Sequence, residues 1–247
     1  MMPLTQDLPK CLHRVGQKTL LDWQLESLRA AGVREIALVR GHLSETISYP
    51  GLTYFENPDF RTTNMLHSLF CAAPFMTGGF IVAYSDVLYN PEVVRKLLAY
   101  PGEVGLICDR LWRERYWERV KHPVEEAELV WTVSGKVIRI GKGFDESDAA
   151  HGEFMGLAKF SPEGAKWAQR VYRDLSEAYR TQPQGAFQQA TTFEKAYLTD
   201  FLSELIGRGF PAGTTDIEGG VFEIDTPQDY HKAQKVWPSQ PLRDTEA

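Results

Sequence analysis

Phe80-Ile81-Val82-Ala83-Tyr84-Ser85-Asp86 is a run of five apolar residues closed by a serine and an aspartate. A run this short and this continuously apolar predicts a strand buried on both faces of a parallel sheet. The residue that closes it, Asp86, is then presented at the strand's carboxyl end, where open α/β sheets bind their ligands. The pattern repeats outward from here. Downstream, Pro91 to Tyr100 predicts a helix with proline in its first turn, and Val104 to Cys108 a second buried strand closed by Asp109. Upstream, Asn64 to Ala73 predicts a helix, and Leu52 to Phe55 and Glu35 to Val39 predict short strands. Thr19 to Ala31 predicts an amphipathic helix stopped by Gly32. Helix and strand alternate over residues 1–110, which predicts a Rossmann-like, doubly wound, mainly parallel sheet with helices on both faces.

Beyond residue 110 the pattern changes. Glu128 to Thr132 and Lys136 to Ile140 flank Ser134-Gly135 and predict a β-hairpin, followed by a strand from Glu153 to Phe160. This is a small β-rich insertion in an otherwise α/β chain. Ser161 caps a long helix reaching about Arg180. Thr181 to Ala190, rich in Gln, Pro and Gly, predicts a mobile loop, and Phe193 to Ile206 a helix stopped by Gly207 and Gly209. Val221 to Ile224 predicts a strand closed by Asp225, and Pro227 to Val236 the last helix. One domain over residues 1–237 follows, with a disordered polar tail at 238–247.

With 247 residues, 43% of them hydrophobic, the chain is ample for one α/β core. The net charge of −6 excludes a nucleic-acid backbone as the main partner, though not a nucleotide, which needs only a few local donors and a metal. Cys11, Cys71 and Cys108 are scattered, odd in number and outside any CxxC or Cys/His cluster. That spacing suggests neither a disulfide framework nor a zinc site, and it predicts a protein of the reducing cytoplasm. No apolar run approaches the roughly 18 residues of a membrane span, and no signal-peptide pattern opens the chain.

Three aspartates close predicted strands: Asp86, Asp109 and Asp225. Two carboxylates presented from strand ends can hold one Mg²⁺, a hard cation satisfied by one or two carboxylates and substrate phosphates. The competing reading is that such residues cap helices, and Asp225 does precede Thr226-Pro227 at a helix start. Lys10, in Leu8-Pro9-Lys10-Cys11-Leu12, can neutralise charge on phosphates if the loop holds it rigidly. Taken alone it reads as a solvated surface lysine.

The motifs together resemble a known family. Pro3-Leu4-Thr5, Leu8-Pro9-Lys10-Cys11-Leu12 and Gly16-Gln17-Lys18-Thr19-Leu20-Leu21 resemble the opening of the nucleotidyltransferases of sugar-1-phosphate and phosphocholine type. Tyr84-Ser85-Asp86 is similar to that family's strand-end aspartate motif, and Glu223-Ile224-Asp225-Thr226-Pro227-Gln228-Asp229-Tyr230 to its C-terminal motif. The resemblance covers almost the whole chain. It implies a Rossmann-like fold, Mg²⁺ held by Asp86 and Asp225, and a phosphate-binding role for Lys10. It divides the domain into a nucleotide-binding part, residues 1–110, and an acceptor-side part, residues 111–237. Asn64-Met65-Leu66-His67-Ser68-Leu69, Asp109 with Trp112, Arg113 and Tyr116, and Gly152-Glu153-Phe154-Met155-Gly156-Leu157 look most like the cytidylyltransferase modules of phosphonate metabolism. That likeness implies CTP as donor and a small anionic acceptor such as 2-aminoethylphosphonate or phosphocholine. It places Asn64 and Ser68 by the nucleotide and Asp109, Glu153 and Trp112 by the acceptor. A homodimer is compatible with it.

One departure stands out. The family's glycine-rich loop, of the form LAAG-x-G-x-R, and its first strand have no counterpart, and the chain opens at residues resembling those just after that loop's arginine. Such a truncation predicts weakened NTP binding and apolar edges exposed on the neighbouring strands. A sugar-1-phosphate nucleotidyltransferase, a metal-dependent glycosyltransferase and an inactive ligand-binding homologue are the alternative readings.

Overall fold

The computed structural model describes residues 5–117, 119–143, 149–182 and 185–238. The first residues of the opening motif, Glu118 and the tail beyond residue 238 lie outside the described residues. From the N-terminus, a small hairpin, Arg14–Val15 (β1) and Lys18–Thr19 (β2), leads into helix Leu20–Ala30 (α1). Strands Ala37–Arg40 (β3) and Thr53–Glu56 (β4) precede helix Met65–Cys71 (α2). Phe80–Ala83 (β5), Val87–Tyr89 (β6), helix Pro91–Ala99 (α3) and Val104–Asp109 (β7) follow. The second half opens with the short helix Trp112–Tyr116 (α4), hairpin Leu129–Val133 (β8) and Lys136–Gly141 (β9), and strand Gly152–Phe160 (β10). Helices Pro162–Thr181 (α5) and Leu198–Gly207 (α6), strands Ala212–Ile217 (β11) and Val221–Glu223 (β12), and helix Pro227–Val236 (α7) complete it.

The main sheet has the order β5-β10-β7-β11-β9-β8. β7 and β11 are parallel, and β10 lies antiparallel between β5 and β7, so β5, β7 and β11 share one direction. Strands from beyond residue 110 thus complete a sheet begun by strands before it. One face buries Leu106, Ala158 and Phe160 against Phe70 of α2, Val171 of α5 and Phe201 of α6. The other buries Ile107 and Leu157 against Val94 and Leu97 of α3, with Leu28 of α1 packed beside them. Helices therefore cover both faces, as a doubly wound sheet requires. Each fully buried Leu, Ile, Val or Phe among them contributes about 1.5–3 kcal/mol of transfer free energy. No helix among the described residues is long and apolar enough to cross a membrane.

β3 pairs with β4 and β5 pairs with β10; among the described residues neither has a partner on its other edge. Between those edges lies a cavity of about 1110 Å³, walled by Leu21, Leu25, Ala37, Val39, Phe75 and Ile81. All residues of β3 and β5 are half-buried rather than buried. This is the place a first strand would take in such a sheet, and the described residues supply none.

Two strands escape a reading for apolar runs. β11, Ala-Gly-Thr-Thr-Asp-Ile, is small and polar yet central, because Gly213 and its partner Gly105 lie under the Tyr100 ring, where any Cβ would clash. β6 is three residues long and follows Asp86 directly. The expected helix from Phe193 is split: a single turn, Phe193–Lys195, precedes α6, whose N-cap is Tyr197 with Asp200 as its capping-box partner. Asp200 is therefore buried and accepts from the Tyr197 and Gln189 amides. That same bond ties down the segment expected to be a mobile loop, and Phe187 within it is buried against Phe193.

Candidate active site

β12 runs antiparallel to β6 with Glu223 opposite Val87. That register sets Asp86, one residue before β6, beside Ile224, whose amide donates to the Asp86 carbonyl at 3.0 Å. Asp86 and Asp225, far apart in sequence, are thereby brought to one place. Lys10 joins them. Its ammonium lies 2.8 Å from Asp86 Oδ2 and 2.9 Å from Asp225 Oδ1. It is carried by a single 3₁₀ turn, Lys10–Leu12, which Cys11 pins into a small apolar cluster with Leu21, Leu25 and Ile47. Gln24, buried on α1, clamps the loop bearing Asp86 by donating to the Tyr84 and Val87 carbonyls at 2.8 and 2.7 Å. Gly156 lies in the left-handed region at φ 69°, where a Cβ would come within 2.5 Å of the Tyr84 ring. Glycine there lets β10 bulge around the same loop.

The capping alternative for Asp225 is settled by its neighbours. Thr226 is the N-cap of α7 and Asp229 its capping-box partner, so the helix start is satisfied without Asp225. Burial pushes the Asp225 carboxyl up, but Lys10 first, then His122 and Arg119, outweigh it and hold the group below the usual carboxylate range. Burial likewise opposes the Lys10 charge, and Asp86 and Asp225 together more than reverse that, holding the ammonium above its ordinary value.

A second cavity, about 260 Å³, adjoins this cluster and is walled by Arg115, Arg119, Glu153, Glu223, Asp229 and Lys232 among others. Arg119 is its organising cation. Its guanidinium grips Asp229 at 2.9 and 3.1 Å, reaches Glu223 at 3.2 Å and lies 3.7 Å from Asp225. Glu153 is buried, accepts from the Tyr116 hydroxyl at 2.6 Å, and is pushed up to about 7 by burial. Burial, with Asp225 and Glu153 nearby, also raises Glu223 well above the carboxylate range. His122 places Nδ1 3.4 Å from Asp225 Oδ2, and ligand atoms of His122, Glu223 and Asp225 lie within 4.8 Å of one another.

The other expected site residues fall differently. Asp109 is fully buried, its carboxylate taken up by the Arg115 guanidinium and the Leu111 amide. Trp112 lines neither of these two cavities; it is 3% exposed, packed with Ala127, Leu129 and Trp131 in a satellite core. Ser68 lines the larger cavity together with Asp86. Asn64 caps α2 through the Met65 amide and donates to the Lys195 carbonyl at 3.1 Å. His67 is held in an aromatic cluster by Tyr172 and the Phe193 carbonyl. Of the arginines near Trp112, Arg110 bonds the His151 carbonyl, Arg113 covers the Trp112 ring, Arg115 holds Asp109, and Arg119 turns to Glu223 and Asp229. Gln24, His122, Glu223 and Asp229 were not singled out from sequence. A glutamine on the apolar face of α1, and the Thr226/Asp229 capping pair, are the signals that could have marked two of them.

Residues 4–133 match the MobA-like NTP transferase domain family. The chain is 32% identical over 239 residues to the CTP:phosphoglutamine cytidylyltransferase of Campylobacter jejuni, covering 91% of this chain and 90% of that protein. It is 28% identical over 188 residues to the 2-aminoethylphosphonate cytidylyltransferase of Lancefieldella rimae, covering 73% of this chain and 68% of that one. Its fold superposes on the CTP:phosphocholine cytidylyltransferase of Streptococcus pneumoniae with a TM-score of 0.70 at 21% identity, over 96% of this chain and 93% of that structure. The family match spans more than half of the chain, and the Campylobacter relative is similar over nearly its full length. The chain therefore belongs to the MobA-like NTP transferase family and is a nucleotidyltransferase.

Proposed function

We propose that this chain transfers the cytidylyl group of CTP to a small phosphorylated or phosphonylated acceptor and releases pyrophosphate. The observation that carries the reading is the convergence of Asp86 and Asp225, from different strands, on the one ammonium of Lys10. Two facing carboxylates already arranged around a single cation are an oxygen donor set suited to Mg²⁺. Asp86 and Asp225 would hold that ion, which when bound supplies Lewis-acid stabilisation of phosphate charge. The acceptor oxygen attacks the α-phosphorus in line, the bond from that phosphorus to the bridging oxygen breaks, and pyrophosphate leaves. No protein nucleophile or general base is required, since the acceptor oxygen is already anionic at neutral pH. Lys10 offsets charge on the phosphates, as a positioned cation does in phosphoryl transfer generally.

The preference for CTP rests on the relatives' activities, and Ser68 and Asn64 are placed by the same reading on the nucleotide side. The acceptor belongs in the 260 Å³ cavity. Arg115 and Arg119 there suit its anionic end, and Glu153 and Glu223 suit a nitrogen-bearing head group. A cationic head supplies the counter-charge that would let those two raised carboxyls ionise. The test is pyrophosphate release with Mg²⁺, each of four NTPs, and a panel of 2-aminoethylphosphonate, phosphocholine, phosphoglutamine and sugar 1-phosphates. Asp86→Ala and Asp225→Ala are each expected to cut turnover by about 10²–10³-fold with the fold retained. Near-normal turnover in either variant, or no cytidylyl transfer to any acceptor of the panel, overturns the proposal, and a sugar 1-phosphate as the preferred acceptor overturns the nitrogen-bearing head group.

A further inference from the structure

We propose that Cys108, His151 and Asp216 form a binding site for a single zinc ion, separate from the Asp86/Asp225 centre. The three come from distant parts of the chain and are assembled by the sheet. β11 and β7 pair in parallel with Asp216 opposite Cys108, and His151 immediately precedes β10, whose Phe154 also lies opposite Cys108. Their ligand atoms lie within 4.8 Å of one another, with His151 Nε2 2.8 Å from Asp216 Oδ2.

Thiolate, imidazole and carboxylate are the donors zinc favours, and three protein ligands leave its fourth tetrahedral position open to water or a small ligand. An ordinary His–Asp pair accounts for His151 and Asp216. The apolar core accounts for the burial of Cys108, but neither explains why its thiol stands within ligand distance of both. The surroundings match a metal-bound histidine in two further respects. Thr132 Oγ1 lies 3.1 Å from Nδ1, the ring nitrogen turned away from Asp216, which fixes the ring as outer-shell partners of metal ligands do. Gly152 leaves the thiol room: a Cβ there would stand 2.7 Å from Cys108 Sγ. Charge is compatible as well, because one thiolate and one carboxylate neutralise a divalent ion. Access is from the Asp216 side, whose carboxylate is 41% exposed, while Cys108 closes the inner side. Zinc here would tie β7, β11 and the residue leading into β10 together, two positions from Glu153.

The full chain, stripped by chelator dialysis, is titrated with zinc chloride against a chromophoric chelator, and in parallel with cobalt(II) followed by absorption. One equivalent is expected to bind, with the visible bands of tetrahedral cobalt and a near-ultraviolet thiolate charge-transfer band. Cys108→Ser should abolish that band, and Asp216→Asn and Thr132→Val should each weaken zinc binding at least about tenfold. Asp86→Ala should leave zinc binding unchanged. Should Cys108→Ser not fold, Asp216→Asn, at the exposed edge, decides the matter alone with the cobalt spectrum of the unaltered chain. Less than one equivalent bound, cobalt bound without a thiolate band, or undiminished affinity in Asp216→Asn overturns the site.

Discussion

Replacing Lys10 by methionine removes the charge that Asp86 and Asp225 share while keeping most of the side chain's bulk. The two ion pairs, at 2.8 and 2.9 Å, join side chains that are only 22–26% exposed. Exposed pairs are worth about 0–1 kcal/mol, and breaking a buried pair costs about 3–5 kcal/mol. A partly buried arrangement lies between, so about 2 kcal/mol of stability should be lost, or roughly 4–8 °C in melting temperature for a chain of this size. The pH window follows from the two shifted groups. Lys10 is raised, so its contribution is complete below its ordinary 10.5 and is lost as pH climbs through the raised value. Asp225 is lowered, so its contribution is complete above its ordinary 3.8 and is lost as pH falls through the depressed value. The difference between the two proteins should be flat through neutrality and shrink at both extremes. Mg²⁺ supplies the discriminating arm. In the variant it meets two carboxylates with no ammonium between them, so it should raise the melting temperature more than in the unaltered chain. At a hundredfold excess over its dissociation constant the gain is about 2.7 kcal/mol. Turnover should nonetheless fall about 10²–10³-fold, since Mg²⁺ does not replace the lysine's charge on the phosphates. Calorimetry with and without Mg²⁺, beside pyrophosphate release, measures all of this. A variant that melts with the unaltered protein and responds identically to Mg²⁺ refutes the shared-cation argument.

Glu128 is buried, hydrogen-bonded by Thr199 and Tyr84, and pushed up to about 7 by burial. The folded chain therefore keeps a proton that the unfolded chain releases nearer 4.5, and stability falls as pH rises between those values. Glu128→Gln should stabilise the protein by about 1–2 kcal/mol at pH 8, after loss of the long Tyr84 bond, and by nothing at pH 5; equal urea midpoint shifts at both values would contradict this. Gly156→Ala places a Cβ at φ 69° and 2.5 Å from the Tyr84 ring, so it should cost about 2–3 kcal/mol by urea denaturation and lower turnover through the Asp86 loop. Tyr116→Phe removes the 2.6 Å donor to Glu153 and should raise KM for the acceptor while leaving KM for CTP in place. A change confined to CTP would move Glu153 out of the acceptor cavity.

Most of the fold was readable because its signals are local. Apolar runs such as Val104 to Cys108 and caps such as Ser161 and Thr226 act within a few residues, and the elements they start or fill are present. What escaped depends on contacts across the chain. β11 is central because two glycines meet under Tyr100, and nothing in Ala-Gly-Thr-Thr-Asp-Ile announces that ring. The family resemblance put Trp112 by the acceptor, yet an indole beside Leu129 and Trp131 gains more from burial than from facing water.

The three strand-end aspartates show where the missing information lay. All follow apolar runs and looked alike, but what comes after each differs. Asp109 is followed by a turn and a helix rich in arginine, and Arg115, six residues on, folds back to neutralise it in a site without solvent. Asp225 is followed by Thr226 and, four residues on, Asp229, which meet the demands of the helix start themselves. Asp86 is followed by a three-residue strand rather than a helix, so there is no start to cap. Only the aspartates whose local obligations are absent or already met have carboxylates left to face a shared cation, and these are the two that Lys10 bridges. A strand-end carboxylate is therefore best judged by the residues that follow it, because they decide whether its charge is spent on folding or left for a ligand.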